Sequence, residues 1–274
     1  MHRFSNTWSL MKSSFRVLKE DAMILIFPIL SGIFTLLIIG SFMLPFFATG
    51  SLESIRFLEN QPGVLGYIYL FLFYFLSYFV MLFFNSASVV YAIEVMRGGR
   101  PTISQALKMV THRITPLLGW TFIASTVGLI INSLENSSDS IGKIFSAFLG
   151  LSWTVISFLV LPILIVEGKG PVTSLKLSAK MLKNSWGEQL IGHFSFGLLF
   201  ALISFPIFFI IFLSLQFGGA PAIAGIAVGV LLVIGMGVVQ WSLQSIFMGA
   251  IYLFVRKENI PSSYSITQIS NAFH

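Results

Sequence analysis

Six stretches of this chain are long enough and apolar enough to cross a bilayer, and no other feature narrows its possible folds as much. They run over about 22–48, 64–93, 115–134, 144–166, 189–215 and 221–255, and none carries an acidic or basic residue in its middle. A hydrocarbon core of about 30 Å takes roughly 20 helical residues to span. Inside lipid, backbone N–H and C=O groups must be satisfied without water, so a spanning segment is a helix or a strand of a closed barrel. Barrel strands alternate polar and apolar residues, whereas these runs are continuous, which excludes the barrel. Pro28, Pro162 and Pro206 fall within them and are expected to kink their helices. The expected fold is therefore all-α, a polytopic membrane helix bundle with six transmembrane helices.

The charged residues agree. They make up 9% of the 274 residues, against about 25% in an ordinary soluble domain. Basic residues set orientation, because positive loops stay on the cytoplasmic side. Four precede the first span (Arg3, Lys12, Arg16, Lys19) and four separate the second from the third (Arg97, Arg100, Lys108, Arg113). Four more separate the fourth from the fifth (Lys169, Lys176, Lys180, Lys183), and Arg256 and Lys257 follow the last. Only Arg56 and Lys143 fall on the other side, beside Glu53, Glu59, Glu135 and Asp139. Both termini are thus expected in the cytoplasm, with the protein multi-pass in the plasma (inner) membrane. The net charge of +6 is a topology signal facing anionic headgroups rather than a nucleic-acid surface. No cysteine is present, which removes disulfides, thiolate metal sites and cysteine nucleophiles. The first apolar run is too long for a cleavable signal peptide and lacks its small-residue cleavage site.

Three connectors read as basic amphipathic helices. In 171–186, Val172, Leu175, Ala179, Leu182 and Trp186 form one apolar stripe at heptad spacing, while Lys176, Lys180 and Lys183 recur at i, i+4 and i+7. In 4–19, Phe4, Trp8, Met11, Phe15 and Leu18 make the stripe, with Lys12, Arg16 and Lys19 off it. In 102–114, Ile103, Ala106, Leu107, Val110 and Ile114 share a face, with Lys108 and Arg113 elsewhere. Such helices are expected to lie in the cytoplasmic interface, with lysines toward phosphate and the ring of Trp186 at headgroup depth. Each precedes a pair of spans, so the single membrane domain reads as a threefold pseudo-repeat over about 1–96, 97–166 and 167–257, with 258–274 a cytoplasmic tail. The joints "MRGGRP" (96–101) and "EGKGP" (167–171) resemble each other.

Chemistry is sparse. No charge lies near a bilayer centre, which argues against a proton- or sodium-coupled pump. Glu94, Glu167 and Glu188 sit at span ends, either solvated or paired with a nearby lysine or arginine, with substrate gating by Glu94 or Glu167 as the sharper alternative. No HExxH, Walker loop, GxGxxG or GxSxG occurs. His193 reads as an interfacial histidine. Gly225 and Gly229 form a GxxxG, a helix-packing device in lipid. Asn85, Gln240 and Gln244 are the intramembrane polar residues that stand out. Either they hydrogen-bond across helices, with Ser86 and Ser88 allowing close approach, or they line a cavity. No cofactor or metal is expected.

The stretch "LPILIVEGKGPVTSLKLSAKMLKNSWGEQLIG" (161–192) resembles a pattern in uncharacterised prokaryotic membrane proteins: a span ending in an acidic-glycine turn, then a basic "SLKLS" helix with a late tryptophan. The openings and closings "SNTWSLMKSSFRVLKEDAMILIFP" (5–28) and "AIYLFVRKENIP" (250–261) are similar to the six-helix family within that set. The membrane domain attached to some glycerophosphodiester phosphodiesterases shares the pattern. The resemblance implies the topology and lipid handling, and it carries no catalytic residue.

The expected function is non-enzymatic: an integral membrane protein that binds or organises anionic lipid, or scaffolds a membrane protein partner. The alternative is a small permease or export component for an apolar solute or peptide. Intramembrane enzymology lacks the acid–base pairs it would need.

Overall fold

The computed structural model describes residues 14–48, 63–136, 140–182 and 186–256. Its helices are α1 (14–20), α2 (Ile26–Ala48), α3 (Val64–Met96), α4 (Ile103–Thr111), α5 (Ile114–Glu135), α6 (Ser140–Ser157), α7 (Val160–Val166), α8 (Pro171–Leu182), α9 (Trp186–Phe217) and α10 (Gly219–Val255). A 3₁₀ turn, Ala22–Leu25, precedes α2. Among these residues there is no strand. Six helical segments are long and apolar enough to cross a membrane: Ala22–Pro45, Val64–Met96, Ile114–Glu135, Gly142–Val166, Phe200–Phe217 and Gly219–Val255.

The chain divides into two compact units. The first comprises Met1–Pro28, Ser88–Ile103 and Ala179–His274; the second comprises Ile29–Ala87 and Ser104–Ser178.

In the first unit, α9 and α10 form a hairpin through Gly218. A methyl group on Gly225 would collide with Ser214, and one on Gly229 with Ile211. The GxxxG therefore does the packing read from the sequence, and its partner is α9. At the far end of α10, Gly249 faces Met96, Ile93 and the Val89 carbonyl of α3. The α3 C-terminus closes as a Schellman motif. Gly98, at φ 83°, donates its N–H to the Val95 carbonyl at 2.9 Å, and Gly99 donates to Glu94 at 3.0 Å. Only glycine takes that left-handed conformation without a Cβ penalty.

In the second unit, α2 and α3 join along an aromatic seam. Phe34 meets Phe84 at 5.4 Å and Phe42 meets Tyr69 at 4.9 Å, while the Tyr69 hydroxyl donates to the Phe42 carbonyl. Trp120 of α5 stacks on Trp153 of α6 at 5.6 Å, with 17° between the planes.

Two of the three prolines sit where a proline is tolerated rather than in mid-helix. Pro28 is the third residue of α2, after the 3₁₀ turn, and Pro162 is the third residue of α7, after a break at Phe158 and Leu159. First-turn N–H groups have no intrahelical acceptor, so a missing one costs little. Pro206 lies inside the continuous α9.

The break at 158–159 frees a backbone donor. Phe158 tightens onto the Val155 carbonyl at 3.2 Å, and the Leu159 N–H, with no helical acceptor left, donates to Ser178 Oγ at 3.1 Å. Leu159 and Ser178 are both fully buried. Ser178→Ala is expected to lower stability by about 1–3 kcal/mol, because it strands a buried donor. Ser174, one turn earlier, is also fully buried, but its hydroxyl has no partner among the described residues. Ser174→Ala is therefore expected to be neutral or slightly stabilising. Thermal unfolding in detergent checks the pair, and equal shifts for both would defeat the argument.

Candidate functional site

The basic helices are built from their joints outward. Gly168, at φ 65°, ends α7. Three residues later Pro171 opens α8 at a position suited to its fixed φ and missing donor. The Ser174 N–H closes the first turn onto the Gly170 carbonyl at 2.8 Å. The buried face of α8 is Ser174, Ser178 and Leu182, which is i, i+4 and i+8. At about 100° per residue, Lys176 and Lys180 lie roughly opposite that face, and both are exposed. Val172, on the apolar stripe of the sequence, is 52% exposed, and Leu175 and Ala179 are half-buried. The face turned to protein is thus the small hydroxyl face, and most of the heptad stripe flanks it. Lys183 lies outside the described residues, as does the side chain of Trp186, which opens α9.

The other two helices share the register. On α1, Ser14 and Leu18 are buried while Arg16 and Lys19 are exposed; Lys12 lies outside the described residues. On α4, Ala106 and Val110 are buried and Lys108 is exposed. A fully buried residue two positions after a lysine recurs at Val110 and Ser178, and one two positions before a basic residue recurs at Ser14 and Ser178.

The intramembrane amides divide between the units. Asn85 belongs to the second, and Gln240 and Gln244 belong to the first; all three are half-buried. Asn85 is engaged by a partner. The side chains of Gln240 and Gln244 make no hydrogen bond among the described residues. Of the two smaller neighbours, Ser86 donates to the Leu82 carbonyl at 2.7 Å, while the buried Ser88 hydroxyl has no partner among the described residues.

Glu94 is paired, with Oε1 2.8 Å from Arg97 Nη1, and Glu167 also has a partner. Glu188 and His193 lie in α9 where side chains are outside what is described. Among the described residues no three histidine or acidic side chains gather as a metal site would require.

One cluster escaped the sequence reading. Asp21 caps the 3₁₀ turn, its Oδ1 accepting from the Met23 N–H at 3.0 Å, and its Oδ2 accepts from the Tyr91 hydroxyl at 2.7 Å. Tyr91 is buried and meets the fully buried Phe27 at 5.4 Å. An aspartate directly before an apolar run is the signal that could have found the cap. Nothing local points to Tyr91, 70 residues away.

A model of a family of unknown function matches residues 64–260. No curated protein matches the chain, and no solved structure does.

Proposed function

We infer, for a chain that belongs to the family of unknown function DUF6159, an integral membrane protein without enzymatic activity that binds or organises anionic lipid or scaffolds a membrane partner. The observation that carries this reading is the shared register of α1, α4 and α8. Each buries small or apolar residues on one face and presents Arg16 and Lys19, Lys108, or Lys176 and Lys180 away from it. Helices so built lie flat at the cytoplasmic interface, basic side chains among headgroups. The same register supports the threefold pseudo-repeat, as does the complete burial of 86–93, 159–165 and most of 242–253 at the basic ends of spans two, four and six. Placement is in the plasma (inner) membrane with both termini cytoplasmic. The likeness of 161–192 to phosphodiesterase-linked membrane domains supports lipid handling.

Changing Lys176, Lys180 and Lys183 together to Gln tests it. Each lysine near an anionic surface contributes about 1 kcal/mol, so enrichment of phosphatidylglycerol over phosphatidylcholine around the protein is expected to fall about tenfold or more. Lipid extracted with the protein from mixed nanodiscs reads the ratio, and an unchanged ratio removes the reading.

The second reading, a small permease or export component for an apolar solute or peptide, draws on Gln240 and Gln244, half-buried amides without a protein partner among the described residues. Polar groups in a span usually face protein, water or a passing ligand. Flux above empty proteoliposomes would favour it over the scaffold.

A further inference from the structure

Among the described basic residues of the second unit, Arg113 is exposed and rests its guanidinium against a glycine. It lies against Gly168, where a methyl group would stand 2.6 Å from Cζ and 3.0 Å from Nη1. The glycine thus provides both the left-handed turn and the seat. Arg113 occupies the N-cap position of α5 without capping it, and among the described residues its side chain makes no hydrogen bond or ion pair. A guanidinium presents five N–H donors in a rigid fork suited to phosphate. This one lies on Gly168 and is exposed, so its donors remain available. Lys169, exposed, follows the seat directly.

Immediately beyond Arg113, α5 presents an apolar track. Ile114, Leu118 and Phe122 lie at i, i+4 and i+8 and are 38%, 37% and 55% exposed, whereas Leu117, Trp120 and Thr121 between them are buried. The track extends about 12 Å from the arginine end. Phe71, also exposed, meets Phe122 edge-on at 6.5 Å. An exposed guanidinium at the head of an open apolar track suits an amphiphile with an anionic head.

We propose that Arg113 anchors the headgroup of a bound anionic glycerophospholipid, its phosphodiester on the guanidinium and an acyl chain along Ile114, Leu118 and Phe122. The proposal rests on the reading of the chain as a lipid-binding membrane protein and adds to it a single defined site. Lysine at this position keeps the charge and loses the fork, so it is expected to bind with intermediate strength.

Native mass spectrometry of the whole protein, taken from mixed phosphatidylglycerol and phosphatidylcholine micelles, tests it. The native protein is expected to retain one phosphatidylglycerol after the remaining lipid has been stripped. Arg113→Gln should lower that occupancy about tenfold, the loss of a charge-assisted hydrogen bond. Arg113→Lys should fall between, and Phe122→Gln should weaken long-chain more than short-chain lipid. Inorganic phosphate should not displace the adduct; displacement would show a free-anion site and overturn the lipid assignment. Equal retention by native protein and Arg113→Gln would overturn the site. If the triple lysine variant loses its phosphatidylglycerol enrichment in that case, the broader reading stands; if it does not, both fall.

Discussion

Gly249→Leu is expected to cost about 3 kcal/mol or more, enough to leave little folded protein, while Gly249→Ala stays within about 1 kcal/mol. The contrast follows from what surrounds the glycine. A Cβ there would stand 2.9 Å from Met96 Cε, 3.1 Å from Ile93 Cγ1 and 3.6 Å from the Val89 carbonyl oxygen. Met96 Cε is the end of a flexible thioether chain and can swing aside for one methyl group. A branched side chain reaches past it to Ile93 and the α3 backbone, which cannot move without opening the α3–α10 contact. Without a hydrophobic driving force between helices in lipid, close backbone approach supplies much of their attraction. Thermal unfolding of both variants in detergent, followed by tryptophan fluorescence, gives the two shifts. A leucine variant as stable as the alanine variant would show that α3 and α10 do not meet there.

Asp21→Ala should cost about 2–4 kcal/mol, more than Tyr91→Phe at about 1 kcal/mol, although both delete the same hydrogen bond. Alanine removes the cap acceptor of the Met23 N–H, worth about 1 kcal/mol. It also leaves a buried tyrosine hydroxyl with no acceptor, which costs about 1–3 kcal/mol. Phenylalanine removes donor and need together. Asp21→Asn keeps one oxygen for the Met23 N–H and turns an amide N–H toward the Tyr91 oxygen in place of the second acceptor, so it should fall between the native protein and Asp21→Ala. In the double variant Asp21→Ala with Tyr91→Phe the stranded hydroxyl is gone, so its cost should be less than the sum of the singles by about 1–3 kcal/mol. Strict additivity in that cycle would mean the carboxylate and the hydroxyl do not interact.

The six spans were legible because lipid imposes a length and an absence of charge that survive in any sequence. The Gly225–Gly229 pair was legible for a related reason: small residues four apart leave room for a neighbouring helix. Which helix fills that room was not, since nothing near 225 points to Ser214 or Ile211. Pro162 advertised a disturbance in the fourth span, but the break falls at 158–159, and its repair by Ser178 Oγ is a contact between residues 19 apart. On α8 the heptad reading ranked residues by greasiness and chose Val172, Leu175, Ala179, Leu182 and Trp186, of which Leu182 is fully buried. Protein-facing surfaces in membranes favour small residues, and Ser174 and Ser178 form most of the buried face. The amides of Asn85, Gln240 and Gln244 were grouped by depth alone. Depth along a helix can be counted from sequence, whereas the direction a residue faces across the bundle cannot.

Burial along α3, the α6–α7 span and α10 is concentrated toward their basic ends, and the opposite ends of α3 and α10 carry long runs of exposed Phe, Leu, Ile and Val. Over evolutionary time, accepted substitutions should therefore distribute unevenly along each of these spans. At the exposed ends, Leu for Phe or Ile for Val exchanges one lipid-solvated side chain for another and leaves few neighbours to readjust. At the buried ends each side chain is fitted against several others, and a change at one position requires a matching change at the next. Descendant sequences would diverge fastest at the oiliest, most exposed ends and retain residues such as Tyr91, Ile163 and Gly249 long after the rest had drifted.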